Sequence, residues 1–128
     1  MQKLLTFAAT AVIACLLSAC GNGDSNQTSR APRNIEEAAA KVDNVFKDAN
    51  PEVFQAASNL SSALKERQFE AAAEQLDKFN NIPQLTYEQA VAIQESRNKL
   101  VENIASRIDT DPSAKRAWER MKASARDH

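Results

Sequence analysis

Glycine is nearly absent from this chain: of 128 residues only Gly21 and Gly23 are glycine, and Thr28 to His128 has none. A stretch that long without glycine cannot carry a phosphate-binding loop, a dinucleotide-binding turn, a nucleophile elbow or an Asn-Gly hairpin. Histidine is scarcer still, with His128 as the single imidazole. Cysteine occurs at Cys15 and Cys20 only, and the Cys-x-x-Cys-His needed for c-type haem is missing. No metal or haem cofactor is expected on that basis. Charge of one sign is lacking too: 16 Lys and Arg face 17 Asp and Glu, a net charge of -1. A dedicated nucleic-acid binder should be clearly basic, so nucleic acid is not an expected partner. The length suits one domain.

The longest uncharged run lies at the start. Lys3 precedes Leu4 to Leu17, which are free of charge and mostly apolar, and small residues follow at Ser18 and Ala19. The run falls short of the ~20 apolar residues that span a bilayer, and it ends in Gly21-Asn22-Gly23-Asp24. It reads as a secretory signal peptide over 1–19. Ordinary cleavage after Ala19 would leave Cys20 as a free thiol.

Leu17-Ser18-Ala19-Cys20 resembles the lipobox of bacterial prolipoproteins, placed directly behind an apolar run of suitable length. The resemblance implies cleavage before Cys20, lipid on its sulfur and acylation of the new amino group. The membrane is then a partner through Cys20, and the protein faces the periplasm of a bacterial cell envelope. Gly21 stands where an Asp would signal retention in the inner membrane, which favours the outer membrane. Cys15 would leave with the signal peptide, so packing without disulfides must hold the domain.

Residues 20–34 form the second region, the lipidated Cys20 and a polar tether, GNGDSNQTSRAPRN, read as flexible. Residues 35–128 read as an all-α domain. Asn34 and Glu37 mark a capping-box-like start, and Ile35, Ala38, Ala39, Val42, Val45, Phe46 and Ala49 recur at helical spacing. Asn50-Pro51 stops that helix and starts another, striped by Val53, Phe54, Ala57, Leu60, Ala63 and Leu64. A break is expected at Glu66 to Gln68, then a helix lined by Phe69, Ala72, Ala73, Leu76 and Phe79, ended by Asn80 to Pro83. Thr86 and Gln89 make a second capping box, opening a helix with Tyr87, Ala90, Val91, Leu100, Val101, Ile104 and Ile108 near one face. Asp111-Pro112 caps the last helix, striped by Ala114, Ala117, Trp118, Met121 and Ala125. No segment alternates as a strand would.

Two overlays support repetition. Ile35-Glu36-x-Ala38-Ala39 matches Phe69-Glu70-x-Ala72-Ala73 at an offset of 34, and Val42-Asp43 matches Leu76-Asp77. The stretch Ala63 to Ala72, with Phe69, Ala72, Leu76 and Pro83, resembles the turn and second helix of a tetratricopeptide repeat. That resemblance implies stacked helical hairpins and protein–protein interaction. A small bundle of short antiparallel hairpins fits the same pattern.

Catalytic candidates are few. Glu70, Glu74 and Asp77 share one flank of a helix and read as a solvated acidic face. Ser58, Ser61 and Ser62 lack a histidine base. The chain is therefore not expected to be an enzyme. Acid-before-base pairs at i,i+4 (Glu37–Lys41, Asp43–Lys47, Glu74–Lys78, Glu95–Lys99) mark exposed faces. The last helix gathers Lys115, Arg116, Arg120, Lys122 and Arg126 against Glu119 and Asp127. These bases either offset the helix dipole or form a surface for an anionic partner. The leading functional expectation is a lipid-anchored, non-enzymatic interaction or structural module with a protein partner in the envelope. The alternative is a carrier or inhibitor holding a small ligand in an apolar groove between helices.

The anchor is directly testable. Wild-type protein should enter the detergent phase with a mass matching acylated Cys20, whereas Cys20→Ala should stay aqueous and lose the lipoprotein cleavage. An unmodified Cys20 in the wild-type mass spectrum would refute it.

Overall fold

The computed structural model describes residues 30–127, a set that excludes Leu17 to Cys20 and His128. Five helices span it: α1 (Ile35–Val45), α2 (Pro51–Lys65), α3 (Phe69–Phe79), α4 (Tyr87–Ala105) and α5 (Pro112–Arg126). There is no strand among the described residues, as the periodicity requires.

Side chains mark four of the five helix starts. Asn34 Oδ1 accepts from Glu37 N at 2.8 Å, and Asn50 Oδ1 from Val53 N at 3.0 Å. Thr86 and Gln89 complete a reciprocal capping box, 3.1 Å in each direction. Asp111 Oδ1 accepts from Ser113 N at 2.8 Å. Each such cap satisfies backbone donors that the first turn leaves open, for about 1 kcal/mol. Glu37 does not complete the box expected with Asn34. Its carboxylate reaches one residue further back and accepts from Arg33 N at 2.9 Å.

The missing glycine has a visible cost. The α2–α3 turn closes with Gln68 N donating to Ala63 O at 2.9 Å and Arg67 N to Leu64 O at 3.2 Å. That pattern needs a left-handed residue after the cap, normally glycine. Here Arg67 takes φ 54°, and in the α3–α4 connection Gln84 takes φ 63°.

The helices close on one another. The strong contacts join α1 to α2 and α4, α2 to α3, α3 to α4 and α5, and α4 to α5. Val45 meets Gln89 while Lys41 meets Glu95, so α1 and α4 run in opposite directions. Exchanging the hairpins α1–α2 and α3–α4 leaves this contact pattern of the first four helices unchanged. The bundle alternative is therefore the one adopted. A translational stack of repeats sets equivalent helices side by side, whereas here α1 lies against α4.

The 34-residue similarity survives as burial. α1 and α3 have 11 residues each, and Ile35, Ala38, Ala39 and Val42 are buried like their counterparts Phe69, Ala72, Ala73 and Leu76. Leu60, Leu64, Leu100 and Ile104 complete the centre, and Phe46 meets Phe79 with ring centroids 5.3 Å apart. Among the described residues nine of the buried ones are alanines, which let helix axes approach closely but contribute little apolar area each.

Three expectations are corrected. The buried face of α4 is Ala92, Ile93, Ser96, Leu100 and Ile104, not the stripe through Tyr87 and Ala90. Ser96 hides that continuity: its hydroxyl donates to Ala92 O at 2.8 Å, so a polar residue sits satisfied within the seam. Phe54 and Tyr87, expected in apolar stripes, are 45% and 84% exposed. Both belong to the opening turns of α2 and α4, at the same end of the bundle. Residues 30–34, read as the end of the tether, pack on the domain: Pro32 is buried and the Arg30 carbonyl accepts from Lys41 Nζ at 3.3 Å.

Because Gln84 is exposed and carries left-handed strain that outweighs the entropic cost of a glycine, Gln84→Gly should stabilise the domain by up to about 1 kcal/mol. That corresponds to a rise of roughly 4–8 °C in Tm. A calorimetric scan showing a lowered Tm would contradict it.

Candidate functional site

The basic residues of α5 divide into two groups. Arg116 Nε lies 2.7 Å from Glu70 Oε1, and Arg120 Nε lies 3.0 Å from Asp77 Oδ2. Asn80 Nδ2 contacts Ser124 Oγ at 3.4 Å. These three contacts keep sequence separations of 46, 43 and 44, so α5 runs beside α3 in the same direction. Arg116 and Arg120 therefore serve as cross-links to α3, and the acidic flank of Glu70 and Asp77 is their counterpart. Lys122 pairs with Glu119 at 2.9 Å and sets its ammonium 5.8 Å from the Trp118 ring centroid. Lys115 and Arg126 are exposed and make no ion pair among the described residues. Trp118 and Met121 are half-buried against the core, while Ala125 is exposed.

Of the four local charge pairs, only Glu74–Lys78 forms, at 3.9 Å. Asp43 instead meets Lys65 of α2 at 2.6 Å. Glu37 takes Arg33, whose guanidinium hydrogen bond, the largest influence, and backbone N–H hold the carboxyl down to about 2. Glu36 faces Arg67 at 3.0 Å. Its carboxyl is lowered by a backbone hydrogen bond first and by Arg67 second.

The pair that sequence reasoning missed is Lys41–Glu95. Its charges lie 2.6 Å apart between α1 and α4, with side chains only 6% and 19% exposed. A signal was present. Lys41 follows Ala38 by three and precedes Val45 by four, which places it on the buried arc of α1. Ser61, one of the serines considered as nucleophiles, is buried with its hydroxyl on Ala39 O at 3.3 Å.

Two grooves flank α3. One, of about 710 Å³ between α2, α3 and the α3–α4 connection, is lined by amides including Gln55, Asn59, Gln75 and Asn81 over Val53 and Ile82. The other, of about 240 Å³ between α3, α4 and α5, has Leu76, Val101, Trp118 and Met121 on its walls and Arg97 and Lys122 beside them. No group of three or more His, Cys, Asp or Glu able to hold a metal occurs among the described residues. No described helix is long and apolar enough to cross a membrane.

Removing one half of a buried ion pair strands the other charge. Lys41→Ala should therefore cost about 3 kcal/mol, the lower end for such losses because Glu95 keeps some solvent. Lys41→Met with Glu95→Leu should recover most of it. Urea melts separate the two cases, and a Lys41→Ala loss below ~1 kcal/mol would place the pair among ordinary surface bridges.

Comparison with known proteins finds no matching family model, no matching curated protein and no matching solved structure, so function has to be read from these surfaces.

Proposed function

We propose that this protein is a lipid-anchored envelope lipoprotein, held to the membrane through Cys20, whose helical bundle is a non-enzymatic protein-interaction or structural module. The anchor rests on Leu17-Ser18-Ala19-Cys20 behind the apolar run. The observation that carries the interaction reading is the exposure of Phe54 and Tyr87, the two large apolar side chains in the described residues that face solvent. The bundle buries its other large apolar groups wholly or in part, and Tyr87 above all leaves most of its surface in water. Exposed aromatics are the side chains that interfaces use most, since they bury much area at little entropic cost. Both lie in the opening turns of α2 and α4. Gln89 Nε2 donates to Val45 O at 3.4 Å, which puts the start of α4 at the end where α1 gives way to α2. Lys115, Lys122 and Arg126 would add an electrostatic contribution, which acts on encounter rate and salt dependence more than on affinity.

Capture from intact envelopes through a C-terminal tag tests this reading. Phe54→Ser with Tyr87→Ser should lose the captured partner while the helical melt is kept. Reversing Lys115, Lys122 and Arg126 to Glu should weaken capture at low salt and flatten its salt dependence. Unchanged capture by the aromatic double variant would refute the proposed contact.

A further inference from the structure

Arg97 is the one described arginine that the fold leaves incompletely served in a sheltered place. Its side chain is half-buried on α4. One terminal nitrogen donates to Asn80 Oδ1 at 2.9 Å, a neutral acceptor. Its Nε is buried and has no acceptor among the described residues. The neighbouring cations are treated differently: Arg116, Arg120 and Lys122 each have a carboxylate. Asp77 shares the groove with Arg97 but is held by Arg120. The buried Nε is out of a ligand's reach, but the guanidinium lines the groove with only a neutral partner. A cation so placed favours an anion that brings its own acceptor oxygens.

The groove beside Arg97 supplies the rest. Leu76, Val101, Trp118 and Met121 give it apolar walls, with Lys122, paired to Glu119, at its edge. Its volume of about 240 Å³ lies below the ~300–1,000 Å³ of pockets that take drug-sized ligands. A short chain or a single ring fits, and a two-chain lipid does not.

We propose that the groove between α3, α4 and α5 binds a small amphiphilic anion, with a carboxylate on Arg97 and a short apolar body against Trp118 and Met121. This goes beyond the interaction reading and is independent of the lipid anchor and of any partner.

Trp118 is the only tryptophan in the chain, so its emission reports directly on the groove. The full chain should be titrated at constant ionic strength with hexanoate, 1-hexanol, hexylammonium and acetate. Hexanoate should shift the emission saturably. The other three should bind roughly tenfold more weakly or worse, because each lacks either the charge-assisted hydrogen bond or the apolar body. Arg97→Gln should weaken hexanoate by roughly tenfold and leave 1-hexanol within about twofold. Asn80→Ala removes the neutral partner of Arg97 while keeping its charge, and should bind hexanoate at least as tightly as wild type. That variant separates loss of the Arg97–Asn80 contact from loss of the anion site. Equal affinity for hexanoate and 1-hexanol, no saturable response, or an Arg97→Gln protein that binds hexanoate unchanged would each overturn the proposal.

Discussion

The contact between α1 and α4 decides the architecture. Two hairpins with matching buried positions could stack in register or close on each other. Closure requires the first helix of one hairpin to meet the second helix of the other, and Lys41 against Glu95 is the polar centre of that meeting. Around it, Gln89 holds the last carbonyl of α1, and Phe46 crosses to Phe79 near the ends of α1 and α3. Burying two charges is costly, and their attraction offsets that cost only with good geometry. Lys41 and Glu95 thus mark where α1 crosses α4, with Val45 and Gln89 in contact along the same seam.

Much of this was legible from residue types. Asn50-Pro51, Thr86 with Gln89, and Asp111-Pro112 are local signals, since each cap is formed by residues three or fewer apart, and all three stand where expected. The break after Lys65 was also legible, although Arg67 rather than glycine makes it. The failures concern information that is not local. Asp43 has Lys47 one turn away yet meets Lys65. A neighbouring helix can offer a partner within direct reach even at the exposed surface, so spacing alone does not choose. The face of α4 differs for a local reason: Ser96 interrupts its apolar pattern, yet a serine bonded to its own helix packs as a small neutral group. Cys20 and the residues before it, which carry the sharpest sequence signal, lie outside the described residues.

The fifth helix shows how surface charge can be structural. Helix α5 lies beside α3 through Glu70–Arg116 and Asp77–Arg120, pairs drawn from an acidic flank and a basic helix end that look independent in the sequence. Neither pair is deeply buried, so each adds modestly to stability. Their stronger effect is on which charges stay available. Asp77 is held by Arg120, and Arg97 beside the same groove has only the neutral Asn80 as a hydrogen-bond partner among the described residues.

The entry of the chain into the bundle has a mechanical meaning. Pro32 is buried, Arg33 is bonded to Glu37, and the Arg30 carbonyl rests on the ammonium of Lys41. That ammonium is the one that meets Glu95. Tension on the chain ahead of Arg30 would therefore not merely straighten a loose end. It would also draw on the contacts of Arg33 with Glu37 and of Arg30 with Lys41, and so uncover one side of the ammonium that pairs with Glu95. One ammonium thus serves both the incoming chain and the seam between α1 and α4.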